Sequence, residues 1–100
     1  MPKAYVIFTE SIHDPAGMRA YEAASTAPIV EHGAKVLAVD PGLALEGVWP
    51  GDRTVLLEFA SVEAARAWYD SAAYQAVVPL RHAAATTNAV ILTGFTAPAA

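Results

Sequence analysis

The sequence predicts an α+β protein with a four-stranded antiparallel sheet and two helices on one face of that sheet. Short runs of β-branched and aromatic residues alternate with alanine-rich segments that carry helix-capping residues. Their order along the chain is β-α-β-β-α-β, which is typical of the ferredoxin-like fold. One hundred residues suffice for one domain. We predict that this domain spans residues 1–95 and that a C-terminal tail follows at 96–100.

The first half of the chain contains a predicted strand, a helix and a second strand. The run 4–10 is short and rich in β-branched and aromatic residues, as buried strands are. Asp14 is followed by a proline, which is a typical helix start because proline at the first helical position loses no hydrogen bond. We expect Pro28 to kink or interrupt this helix and Gly33 to end it. The second strand is predicted at 35–39.

The second half repeats the pattern of strand, helix and strand. Turns rich in glycine and proline precede the third strand. Ser61 follows this strand and is expected to cap the next helix. A break is expected after that helix, and Pro79 is expected to interrupt the helical segment beyond the break. The predicted elements are a strand at 53–60, helical segments at 62–69 and 72–85, and a strand at 87–95.

Composition and charge argue against several kinds of partner. The formal net charge is −4 and the six Lys and Arg residues form no run, whereas nucleic-acid binders concentrate cations against phosphates. No apolar run approaches the ~20 residues that span a bilayer. We therefore expect neither nucleic acid nor a membrane as partner, and the cytoplasm as location. The chain has no cysteine and no typical spacing of metal ligands, so we expect no metal and no cofactor.

The distribution of apolar residues predicts a second copy of the chain as partner. Both alternations of the predicted strands carry apolar side chains, yet the helices cover only one face of the sheet. A second sheet would cover the other face. We therefore predict a homodimer in which two sheets pack face to face.

The second helix carries a specific series of large residues. The run from Glu58 to Gln75 reads EFASVEAARAWYDSAAYQ. It resembles the domain of unknown function 1330 family, within the dimeric α+β barrel superfamily, and the agreement covers roughly residues 3–95. The resemblance implies a ferredoxin-like dimer, and no catalytic residue can be carried over from a family without a settled activity. The segment from Val39 to Gly42 stands where the family has an Arg-Gly-Gly-like turn, so an acid replaces a cation there.

Glu58 and His13 are the candidate catalytic residues. A carboxylate within a strand has to be paired, hydrogen-bonded or protonated. Glu58 is therefore either a general acid or base, or one half of a salt bridge with Arg66, Arg81 or the partner chain. His13 lies at a strand end and titrates near neutral pH, the alternative being an exposed loop residue.

Six further residues are candidate ligand contacts. Aromatic side chains with polar groups can stack a flat ligand in a cavity between sheet and helices, and arginines can stabilise developing negative charge. Core packing is the alternative for the aromatic residues at helical spacing. The candidates are Tyr21, Trp49, Arg53, Arg66, Trp68 and Tyr69.

Two functions remain open from the sequence. Superfamily members isomerise, cyclise, dehydrate or oxygenate aromatic and polyketide-like compounds, so the resemblance implies a small cofactor-independent enzyme with such a ligand. The alternative is a non-catalytic ligand-binding or stress-related dimer. The enzyme requires a cavity of about 300 Å³ or more, with Glu58 or a histidine beside an arginine. The binding protein requires a fully bridged Glu58 and layers closed by alanine.

Overall fold

The computed structural model describes residues 2–98, which form four strands and three helices. The predicted α+β class and the four-stranded antiparallel sheet are confirmed, with three helices in place of two. The sheet order is β2-β3-β1-β4 and every pairing is antiparallel. The strands are β1 (Ala4–Ile12), β2 (Lys35–Asp40), β3 (Arg53–Phe59) and β4 (Ala85–Thr93), and the helices are α1 (Pro15–Glu31), α2 (Val62–Asp70) and α3 (Ala72–Ala84).

The first residue of the predicted domain (1–95) lies outside the residues that the structure describes. So do the last two residues of the predicted tail (96–100). The division between them at residue 95 stays a prediction. Within residues 2–98, no helix combines the length and the apolar character that crossing a bilayer requires.

Both internal prolines lie within continuous helices, so the interruptions expected at Pro28 and Pro79 are wrong, and the alternative of a kink at Pro28 stays a prediction. Pro28 lies near the end of α1 and Pro79 lies within α3. Each proline removes the N–H that the carbonyl four residues earlier would accept. Those carbonyls belong to Ala24 and Gln75, which are exposed. Water can therefore replace the missing donor, and each helix continues.

Ser71 separates α2 from α3 with a single side chain. Its hydroxyl donates to the carbonyl of Trp68 at 2.8 Å and accepts from the backbone N–H of Tyr74 at 3.1 Å. The residue therefore ends one helix and caps the next. The break leaves the rings of Trp68 and Tyr74 stacked, with centroids 4.1 Å apart. The caps expected at Asp14 and Ser61 are also confirmed.

The helices cover one face of the sheet, where the core lies. Trp68 is fully buried and packs against Phe8 and Phe59, with ring centroids 6.2 and 5.3 Å away. Side chains two residues apart on a strand share a face. The buried strand residues of this face are Ala4, Val6, Phe8, Glu10, Leu57, Phe59 and Ala85.

The opposite face of the sheet is covered by no element of residues 2–98. Val90 and Leu92 lie opposite Ile7 and Tyr5 on this face, and they are 48% and 45% exposed. We call this surface the open face; it also carries Thr9, Thr54, Leu56, Glu58 and Asn88. It is the large apolar surface that a single chain leaves to solvent.

Ser71→Ala should destabilise the protein by about 1 kcal/mol, the usual effect of losing an N-cap side chain. The free energy of unfolding from urea titration at fixed protein concentration measures it. Ser11→Ala is the control, because Ser11 is exposed at the end of β1. Equal stability of the two variants would contradict the capping role of Ser71.

Candidate ligand-binding site

A cavity of about 190 Å³ lies between α1 and the part of the sheet formed by β1, β3 and β2. It is smaller than the roughly 300 Å³ expected for an aromatic or polyketide-like substrate of drug-like size, so a substrate enclosed here has to be smaller than the sequence hypothesis assumed. Thr26 of α1 and Val36 and Val39 of β2 line it and are exposed, so the cavity opens between these two elements. Most of its inner wall is apolar or aromatic: Phe8, Tyr21, Ile29, Val55, Leu57 and Trp68.

A buried carboxylate reaches this cavity from β1. Glu10 is 2% exposed and lies two residues beyond Phe8, so the strand pleat places both on the covered face. Arg53 pairs with Glu10 in the register of β1 and β3. Its Nε donates to Oε1 of Glu10 at 2.7 Å, and its Nη1 donates to Oε1 of Glu22 on α1 at 3.1 Å. Arg53 thus joins two strands and a helix at one side of the cavity.

The charge of Arg53 is stabilised by its two partners. Burial alone would lower the pKa of Arg53, but the hydrogen bond and charge of Glu10, with a smaller effect of Glu22, raise that pKa above its ordinary value. Oε2 of Glu10 accepts no hydrogen bond from residues 2–98, and it is not among their fully buried polar atoms without a partner. One carboxylate oxygen is therefore held by Arg53, while the other can accept a hydrogen bond or a proton from a ligand.

A second polar cluster lies behind the aromatic wall of the cavity. The hydroxyl oxygens of Tyr21 and Tyr74 are 2.5 Å apart. The guanidinium of Arg81 lies over the rings of Phe8 and Tyr21, 4.9 and 5.8 Å from their centroids. Its Nη1 donates to Oγ1 of Thr87. Thr87 is the β4 residue opposite Glu10, so Arg81 bonds to the strand next to Glu10 on one side, whereas Arg53 lies on the neighbouring strand on the other side.

Burial decides the charge state of the two phenols. It raises the pKa of Tyr21 and that of Tyr74 above the ordinary value, and the positive charge of Arg81 offsets only part of this effect. Both side chains are therefore neutral hydroxyls. Arg81 is 2% exposed, and its Nε has no hydrogen-bond partner in the described chain. The core behind the cavity thus carries a positive charge.

Glu58 and His13 both lie away from this cavity. Glu58 alternates with the buried Leu57 and Phe59 and lies on the open face, where its Oε1 accepts from Nζ of Lys3 at 3.1 Å. The basic partner is thus Lys3 and not Arg66 or Arg81. His13 is exposed between β1 and α1.

The six candidate ligand contacts fall into three groups. Tyr21, Arg53 and Trp68 line the cavity together. Arg66 and Tyr69 line a second, open pocket of about 400 Å³ beside β4, to which Trp68 also contributes. Trp49 lies in the β2–β3 connection, where its Nε1 donates to Oγ1 of Thr54 at 2.6 Å.

Sequence reasoning missed Glu10 and Glu22. The signal for Glu10 was present, because Val6, Phe8 and Glu10 follow one another at the strand period of two. The predicted strand ended at Glu10, whereas β1 continues to Ile12 and keeps this side chain inside the sheet. Glu22 had no comparable signal, since its role depends on where α1 crosses β3.

The β2 segment forms the entrance to the cavity. It is exposed along its whole length, and its pairing with β3 is irregular between Val36 and Ala38. At its end, Oδ2 of Asp40 accepts from the backbone N–H of Gly42 at 2.8 Å. Asp40 therefore stabilises the turn that follows β2. Within residues 2–98, no group of three or more His, Asp or Glu side chains is placed to hold a metal ion.

The sheet order, the helical layer and the cavity between them define a ferredoxin-like α+β protein. Residues 3–95 match the family described as a domain of unknown function (DUF1330), and the chain belongs to that family. The resemblance drawn from the second helix is thereby confirmed. No curated protein matches this sequence.

Solved structures share the fold at low sequence identity. RPA0582 of Rhodopseudomonas palustris, a protein of unknown function, is 19% identical with a TM-score of 0.75 over 96% of this chain and 85% of its own. SnoaB of Streptomyces nogalater, a cofactor-independent oxygenase, is 12% identical with a TM-score of 0.70 over 97% of both chains. A dimeric ferredoxin-like protein of unknown function from Thermobifida fusca is 16% identical with a TM-score of 0.62 over 92% and 91%. These similarities establish the fold alone.

Tyr21 and Tyr74 should keep their protons when the pH passes 10.0, the ordinary phenol pKa. Both titrate near that value in the unfolded chain. Their contribution to stability is therefore complete below pH 10.0 and is lost as the pH rises above it towards the raised pKa of the folded state. Tyrosinate absorbance measures this. The native protein and a variant with Tyr21→Phe and Tyr74→Phe should show the same rise near the ordinary pKa.

Denaturant provides the control for this titration. In guanidinium chloride the unsubstituted protein should show a larger tyrosinate signal than the double variant, because all its phenols are then exposed. A smaller signal for the native double variant near the ordinary pKa would contradict the burial of the pair.

Proposed function

We propose that the protein is a small cofactor-independent enzyme that binds an aromatic compound in the cavity and transfers a proton with Glu10 as the base. The observation that carries this proposal is the Glu10 carboxylate, which is buried at an apolar cavity, held at Oε1 by Arg53 and free at Oε2. A general base needs this arrangement, since one oxygen is oriented and the other can take the proton.

Arg53 can stabilise the negative charge that such a reaction creates on the substrate. Removal of a proton leaves negative charge on the substrate, and a fixed guanidinium beside the base stabilises that charge. When Glu10 takes the proton it loses its negative charge, so Arg53 then has one carboxylate partner fewer and can stabilise the substrate anion. Arg53 is already held in place by Glu10 and Glu22, so little reorganisation is needed. Isomerisation, dehydration, cyclisation and oxygenation can each begin with the loss of a proton from the substrate. SnoaB, which shares the fold, performs an oxygenation without a cofactor.

Non-catalytic binding is the second candidate function. The observation that favours it is the network itself, because Arg53 bridges a carboxylate of β1 and one of α1. Such a bridge stabilises the placement of α1 whether or not a reaction occurs. The ion pair of Glu58 with Lys3 also agrees with what this hypothesis requires. Turnover separates the two functions.

A homodimer through the open face is also part of the proposal. The exposed side chains of Val90 and Leu92 form a continuous apolar surface with Tyr5, Ile7 and Leu56. A second copy of the same face would remove that surface from water. The related structure from Thermobifida fusca is described as dimeric. A cytoplasmic location stays a prediction from the sequence.

Glu10→Gln should lower the rate of proton transfer about 100-fold or more, the usual contribution of a general base. Two single-ring probes, resorcinol and cyclohex-2-enone, report it through the exchange of their carbon-bound hydrogens in D₂O, followed by proton NMR. The unsubstituted protein should accelerate exchange in at least one probe.

Glu58→Gln is the matched control, since it removes a strand carboxylate on the opposite face of the sheet. It should leave the exchange rate unchanged. A loss of exchange in this variant instead of Glu10→Gln would overturn the assignment of the base. No acceleration by the unsubstituted protein would favour the non-catalytic function.

Val90→Glu combined with Leu92→Glu should weaken the dimer by ~100-fold or more, because like charges would face one another across the interface. Sedimentation velocity over a range of protein concentrations measures the change. Val30→Glu, on exposed α1 surface, should leave the dimer intact. Dimers that persist in the double variant would contradict an interface at the open face.

A further inference from the structure

We infer that the ligand of this cavity is an uncharged compound of one ring that presents a hydroxyl group to Glu10. This inference rests on the proposed function, because it takes the cavity between α1 and the sheet as the binding site. Four properties of the cavity lead to it: its volume, its aromatic wall, its charge balance and its single free acceptor.

The volume limits the ligand to one ring. A buried apolar cavity of about 150 Å³ holds benzene, whereas pockets for larger drug-sized ligands begin near 300 Å³. The cavity here measures about 190 Å³. It therefore encloses a six-membered ring with one or two small substituents, and the further rings of a polyketide would lie outside it.

The wall of the cavity suits a flat ring. Phe8, Tyr21 and Trp68 all contribute to it. Phe8 and Trp68 meet edge to face, and Tyr21 is fixed by its hydroxyl contact with Tyr74. Aromatic rings held in this way offer both edges and faces to a bound ring, and such contacts add to the free energy of apolar burial.

The charges around the cavity disfavour an ionised ligand. Arg53 is the cation that lines the cavity, and it already faces two carboxylates, so an anion bound before any proton moves would meet no unpaired positive charge in the lining. A bound cation would lie close to Arg53, with the positive charge of Arg81 behind the rings of Phe8 and Tyr21. The carboxylate in excess, that of Glu22, is half exposed, so water screens it. An ionised ligand of either sign would therefore lose hydration that the site compensates only in part.

The remaining polar requirement is a donor for Glu10. Its Oε2 loses contact with water when the cavity fills, and a ligand without a donor would leave this charged oxygen unsatisfied. A hydroxyl group supplies the donor, and its own oxygen can accept from a further N–H of the Arg53 guanidinium. An uncharged phenol or a cyclic enol has both properties.

Four ring compounds of similar size test this inference by NMR titration of the ¹⁵N-labelled protein. The probes are p-cresol, toluene, 4-methylbenzoate and 4-methylbenzylamine, which differ in the group that would face Glu10. We expect p-cresol to bind about tenfold or more tightly than each of the other three, since a charge-assisted hydrogen bond has this magnitude. The largest shift changes should fall on residues that line the cavity.

Two variants locate the site and the hydrogen bond. Glu10→Gln should weaken p-cresol binding about tenfold and change toluene binding little, because only the phenol uses the carboxylate. Val55→Phe fills the cavity and should abolish binding of all four probes. Circular dichroism checks that both variants fold, and the ranking of the probes on the unsubstituted protein decides the inference if either does not.

The outcomes distinguish this inference from the proposed function. Tightest binding of the benzoate or the amine would overturn the uncharged ligand and leave the cavity as a binding site. Equal binding of p-cresol and toluene would overturn the hydrogen bond to Glu10. If none of the probes binds, or if binding survives Val55→Phe, both the inference and the assignment of this cavity fail.

Discussion

The ion pair between Glu10 and Arg53 determines how the two layers of this protein meet. A carboxylate on the covered face of a sheet loses hydration that a cation or hydrogen bonds must replace. Arg53 does so from the neighbouring strand and also reaches Glu22 on α1. The same guanidinium therefore connects β1, β3 and α1, and the space between these elements is the cavity. Fold and site share this interaction, so neither can change without the other.

The rest of the helical layer explains why the cavity lies on one side only. Towards β4, α1 and α3 approach closely at Gly17, where an added Cβ would lie 3.0 Å from that of Ala84. Alanine and glycine permit this approach, and Trp68 and Tyr74 fill the core beneath α2 and α3. Towards β2 no such filling exists. The layers are thus closed on one side and open on the other, with the polar residues at the boundary.

The order of elements was predictable because strand periods and helix caps are local properties of the sequence. The continuity of the helices through Pro28 and Pro79 was not predictable, since it depends on whether the carbonyl one turn before each proline is exposed to solvent. The strand period of two places Thr54, Leu56 and Glu58 on one face, as the structure has them. Leu56 and Leu57 are both apolar, however, so the strand pattern alone could not tell which face the helices cover. The sequence therefore indicated the cavity residues Tyr21, Arg53 and Trp68 as candidates but not Glu10, which lines the same cavity.

The exposure of β2 has a consequence for how such sites diversify. Val36 and Val39 form the entrance to the cavity but contribute little buried area to the core. Substitutions of exposed residues usually change stability little, so this strand can vary in size and polarity while the sheet persists. The turn at Asp40 follows directly on Val39. Substitutions in this exposed segment can therefore change which molecules enter the cavity while the fold persists, so a shared fold is a poor guide to a shared substrate.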